Sequence, residues 1–79
     1  MDRIRIYSQP TCPACKQLKD YLKSKDVEFD DLDVTADSAA MEELVRVHKV
    51  RVTPLTVAGE RKVVGFDPVA IDKLLTEAR

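Results

Sequence analysis

The fold class this sequence predicts is an α/β layered domain, a mixed four-stranded sheet with helices on both faces. Three observations carry it. Arg3-Ile4-Arg5-Ile6-Tyr7 alternates polar and apolar, the period of a strand with one buried face. Directly after it, Cys15, Leu18 and Leu22 recur at the spacing of one helix face. Further on, Gly59-Glu60 separates two apolar runs by only two residues, so those strands must be antiparallel. The element order is β-α-β-α-β-β-α, and the first β-α-β is long enough for a right-handed parallel crossover. At 79 residues the chain is expected to form one domain spanning 1–79.

Taken in order, the first strand covers Arg3 to Tyr7, with Tyr7 read as a packing residue. A helix follows from Pro13 to about Lys25, with Lys16, Lys19, Lys23 and Lys25 facing outward. Ser24-Lys25-Asp26 breaks the pattern, and Val27 to Leu32 reads as the second strand with Val27 and Phe29 on one face. Asp33 to Asp37 is a polar turn. Asp37 or Ser38 can cap the second helix, whose inner face is Met41, Leu44, Val45 and His48, ending near Lys49. Val50 to Thr53 is extended, because Pro54 forces the residue before it out of helical space. Leu55 to Ala58 and Arg61 to Val64 are the third and fourth strands. Asp67 as N-cap with Pro68 at N1 starts the last helix, and Ile71, Leu74, Leu75 and Ala78 form its apolar stripe.

Composition narrows the function classes. Charged residues make up 34% of the chain and the net charge is −1, so nothing points to nucleic acid. Met1-Asp2-Arg3-Ile4 has no apolar leader segment, and no run reaches membrane-spanning length. Two cysteines with no further pairs argue against a secreted disulfide scaffold. A soluble, monomeric, cytoplasmic protein is expected.

Those two cysteines carry the chemistry. Cys12-Pro13-Ala14-Cys15 sits where strand gives way to helix, with Pro13 at a position where a missing N–H costs nothing. First-turn amides lack intrahelical partners, and the helix dipole adds positive potential there. Both favour a thiolate at Cys12, and Cys15 lies on the same face, close enough to attack a disulfide formed at Cys12. Two buried structural cysteines are the plain alternative. A zinc site needs about four ligands, which one pair and a distant His48 do not supply. Two chains sharing an iron–sulfur cluster through Cys12 would be a carrier of another class. Gln9 and Thr11 either border the site or fill the loop.

The strand, Cys12-Pro13-Ala14-Cys15, the helix, Thr53-Pro54 before a hairpin and then Val64-Gly65-Phe66-Asp67 together resemble the glutaredoxin branch of the thioredoxin fold. The resemblance covers essentially the whole chain. It implies that Cys12 is the nucleophile and Cys15 the resolving thiol of a thiol–disulfide oxidoreductase acting on protein or glutathione mixed disulfides. It implies a cis Thr53–Pro54 bond, and substrate or glutathione contacts from Gln9, Thr11, Pro13, Thr53, Pro54, Gly65, Phe66 and Asp67. No tightly bound cofactor or metal is implied; glutathione or thioredoxin reductase would supply electrons. Two departures bear on that choice. Glutathione-using members usually carry a basic residue where this chain has Gln9, and Gly-Gly where it has Val64-Gly65. Gly65-Phe66-Asp67-Pro68 is similar to the Gly-Phe-x-Pro of NrdH-type redoxins, which serve ribonucleotide reductase and are recharged by thioredoxin reductase.

Overall fold

A computed structural model describes residues 4–77, so Arg3 of the first strand and Ala78 of the last apolar stripe lie outside the described residues. The elements are β1 (Ile4–Ser8), α1 (Pro13–Ser24), β2 (Asp30–Asp33), α2 (Ser38–Glu42) running into a π-helical turn (Glu43–Val47), β3 (Leu55–Ala58), β4 (Arg61–Val64) and α3 (Pro68–Glu77). The sheet order is β2-β1-β3-β4. β1 pairs in parallel with β2 and antiparallel with β3, and β3 pairs antiparallel with β4.

Two apolar layers sandwich this sheet. Ile4, Ile6, Ala58 and Val63 pack against Leu18 and Leu22 of α1 and Ile71 and Leu74 of α3. On the other face Tyr7, Leu55 and Val57 meet Ala40 of α2 and Leu44 of the π turn. The thioredoxin-like fold and its helices on both faces are therefore as the sequence implies. β1 differs in one respect: Tyr7 is buried on its second face as well, because this central strand is covered from either side, and only Arg5 is exposed.

The second strand begins later than its alternation implies. Val27 donates to the Leu22 carbonyl at 3.0 Å, and Asp26 has a φ of 56°, so this stretch is held to the end of α1 rather than to the sheet. Val27 and Phe29 still pack on the core, but ladder pairing starts at Arg5 opposite Asp30.

The second helix also departs from expectation. Asp37 is its cap, its carboxylate accepting from the Ala39 and Ala40 amides at 3.0 and 3.2 Å. The regular helix stops at Glu42, and the turn that follows closes with His48 N–H on the Glu43 carbonyl at 3.0 Å, an i to i+5 bond. That extra residue per turn shifts the phase of the residues that follow it, up to His48. Ala40 and Leu44, one turn apart, are the buried positions, whereas Met41, beside them in the regular helix, is 43% exposed. The helical segment ends at Val47, short of Lys49, which has a φ of 57°.

Candidate active site

Three segments converge on the cysteines. Cys12 is the N-cap of α1 in extended conformation, Pro13 is the first helical residue, and the Cys12 carbonyl accepts from Lys16 N–H at 3.2 Å. The loop before it is closed by Cys12 N–H on the Gln9 carbonyl at 3.3 Å. Cys15, one turn on, is fully buried beneath, while Cys12 is only half-buried. The Cys15 amide donates to Cys12 Sγ at 3.2 Å, so an unpartnered first-turn N–H is aimed at the sulfur. Opposite stands Thr53, whose carbonyl lies 3.9 Å from Cys12 Sγ. The Thr53–Pro54 bond is cis, and the Pro54 carbonyl accepts from Gly65 N–H at 2.8 Å. That bond ties the turn after β4 to the strand beside the sulfur.

These contacts move the two thiols apart in acidity. Burial raises the Cys12 pKa, but hydrogen bonds from the Cys15 side chain, the Cys15 amide, the Thr53 side chain and the Ala14 amide outweigh it, and the net direction is down. For Cys15 burial dominates and its bond to Cys12 adds to it, so its thiol is raised. The half-exposed sulfur is the readier nucleophile, and the buried one keeps its proton.

Gln9 is partly exposed, and Thr11 and Pro13 are exposed on the loop around Cys12. Gly65 is linked to the site through Pro54. Phe66 meets Tyr21 edge-on with ring centroids 5.7 Å apart and packs on the α1–α3 layer. Asp67 caps α3, its Oδ1 accepting from Ala70 N–H at 3.2 Å.

Sequence reasoning missed two groups. Lys19 does not simply face outward: its side chain is 23% exposed, and Nζ reaches Asp31 Oδ2 at 3.0 Å. Ser8, buried at the end of β1, donates to Asp31 Oδ1 at 2.7 Å and accepts from Lys19 at 3.4 Å. Lys16, Lys19 and Lys23 share one helical face with Cys12, and that spacing was the available signal. The second group is Tyr7 and His48, which joins a strand residue to a helix-end residue that periodicity treated only as part of an apolar face.

The sequence model of the glutaredoxin family matches residues 4–63. The chain belongs to the glutaredoxin family. It is 43% identical over 72 residues to a glutaredoxin-like 8.6 kDa protein from the rubredoxin operon of Clostridium pasteurianum, covering 91% of this chain and 96% of that one. Among solved structures it is similar to a point mutant of the thioredoxin-like protein BC3987 (TM-score 0.90, 34% identity, 96% of this chain and 97% of that chain). It is also similar to NrdH-redoxin from Escherichia coli (TM-score 0.82, 30% identity, 91% and 93% covered). This glutaredoxin-like redox protein thus carries its cysteine pair at a helix N-terminus on a thioredoxin-like fold. Among the described residues no helix is long and apolar enough to cross a membrane.

Proposed function

We propose that the protein is a dithiol thiol–disulfide oxidoreductase, an electron carrier that reduces disulfides of protein partners in the cytoplasm. The observation that carries this reading is the Cys15 amide on Cys12 Sγ at 3.2 Å with the Cys15 thiol buried behind it. Cys12 thiolate attacks one sulfur of the substrate disulfide; that S–S bond breaks, and the departing thiolate takes a proton. The mixed disulfide holds the substrate on Cys12. Cys15 then loses its proton and attacks Cys12 Sγ, releasing the second substrate thiol and leaving a Cys12–Cys15 disulfide. Two electrons have passed from the dithiol to the substrate, and an external reductant restores the pair.

Within this activity, several observations favour a thioredoxin-reductase-type donor over glutathione. Asp67, the acidic position of a family glutathione site, is engaged by the α3 amide of Ala70. Val64 is half-exposed where the glutathione users carry glycine, and Gln9 supplies no cation. The similar NrdH-redoxin is itself described as a glutaredoxin-like protein with a thioredoxin-like activity profile.

Coupled NADPH oxidation with one disulfide substrate tests both levels. One arm contains thioredoxin reductase, the other glutathione and its reductase. Turnover in the first arm alone is expected, and it names the donor. Turnover only in the second reverses the donor, and none in either overturns the dithiol reading. Cys12→Ser is expected to abolish turnover; Cys15→Ser is expected to abolish reduction of protein disulfides while sparing attack on glutathione mixed disulfides.

A further inference from the structure

We propose that the groove running from Cys12 along one face of α1 is a docking surface for an acidic segment flanking the target disulfide. This rests on the dithiol reading above and adds the chemistry of the partner. Cys12, Lys16, Lys19 and Lys23 follow at steps of four, three and four residues, so one helical face carries the nucleophile and then three cations. A cleft of about 320 Å³ opens there, lined by those four residues together with Asp20 and Asp31.

The charges of the cleft are not equivalent. Lys19 is fixed by Asp31 and Ser8, an anchored cation in the middle of the groove. Lys16 is 80% exposed and pairs with Asp20 at 2.9 Å through a one-turn surface contact, the kind that exchanges at little cost. Lys23 is exposed, and its side chain makes no hydrogen bond or ion pair among the described residues, acting on Asp20 only at a distance. Three cations against two carboxylates leave the groove positive, with its two adaptable lysines spread along it.

Helix geometry turns this into a spacing rule. At about 1.5 Å rise per residue, Lys16 lies about 6 Å and Lys23 about 16 Å along the axis from Cys12. An extended peptide advances about 3.3 Å per residue. Acidic residues about two and five positions from the attacked cysteine therefore face Lys16 and Lys23. Basic residues there meet like charge, and the potential steers the encounter as well as the fit.

Symmetric disulfide dimers of a single-cysteine peptide provide the test. Three are compared, carrying Glu, Gln or Lys at the second and fifth positions on both flanks, with kcat/KM measured at low and high salt. The wild type is expected to prefer Glu over Gln and Gln over Lys, by roughly two- to fivefold per step, the preference collapsing near 1 M salt. Lys16→Glu with Lys23→Glu is expected to reverse the order, and Lys16→Gln with Lys23→Gln to flatten it. Equal rates for the three dimers, or an order that survives charge reversal, overturn the docking surface and leave the dithiol chemistry standing. If the wild type reduces none of the dimers, both fall. The salt series on the wild type needs no variant to fold.

Discussion

The Tyr7 hydroxyl and His48 Nε2 lie 3.2 Å apart, joining the central strand to the end of the π turn across 41 positions of sequence. The rings meet edge-on at 5.3 Å, and His48 Nδ1 is buried without a hydrogen-bond partner. Burial holds the His48 pKa below the ordinary histidine value; Lys62 and Arg5 push the same way and Glu43 opposes them.

Stability should therefore depend on this pair below neutrality. The folded pKa is the lower one, so between the two values the unfolded chain binds more protons. The contribution is fully present above the unfolded histidine value, about 6.5, and is lost as pH falls from there through the folded value. Urea midpoints measured from pH 8 to pH 5 should fall in the wild type and flatten in His48→Asn. Tyr7→Phe should cost about 1 kcal/mol at pH 7 through the lost hydrogen bond. A wild-type profile no steeper than that of His48→Asn would remove His48 from the account.

The cysteine pair should separate under alkylation. Cys12 is half-exposed and its pKa is lowered, while Cys15 is buried and its pKa is raised. With the protein reduced, iodoacetamide should modify Cys12 first, half-maximally at a pH below the free-thiol value of about 8.5. Peptide mapping by mass spectrometry reads the site. Equal labelling of Cys15 in the native protein would contradict its burial.

Asp67 lets capping be separated from charge. Its carboxylate oxygen meets the Ala70 amide at 3.2 Å, so Asp67→Ala should cost about 1 kcal/mol, lowering Tm by about 4–8 °C in a domain of this size. Asp67→Asn keeps an acceptor and should melt close to the wild type. If donor use is unchanged in Asp67→Asn as well, the side chain acts as a helix cap and not as a glutathione contact.

The second helix offers a contrast between near neighbours. Leu44 is 1% exposed and Met41 43% exposed. Leu44→Ala should cost about 2–5 kcal/mol, whereas Met41→Ala should stay within about 1 kcal/mol. Chemical denaturation of both measures it, and equal costs would mean that Met41 packs on the core as Leu44 does.

Much of the molecule was legible from sequence because local physics decided it. Pro13 after Cys12 starts α1 where unpaired amides wait for a thiolate, and Asp67-Pro68 starts α3 by the same logic. The two-residue Gly59-Glu60 turn determined the β3–β4 hairpin. What only the tertiary structure decided involves partners distant in sequence. The parallel register of β1 with β2 moved the second strand to Asp30, away from Val27 and Phe29. The i to i+5 closure at His48 sets the end of the second helix where the imidazole meets Tyr7, and the packing of Ala40 and Leu44 on the sheet leaves Met41 exposed. Lys19 of α1 was drawn in by Asp31 and Ser8, on two neighbouring strands of the sheet. Periodicity reports which side of an element is apolar; which neighbour arrives there depends on how the sheet is assembled.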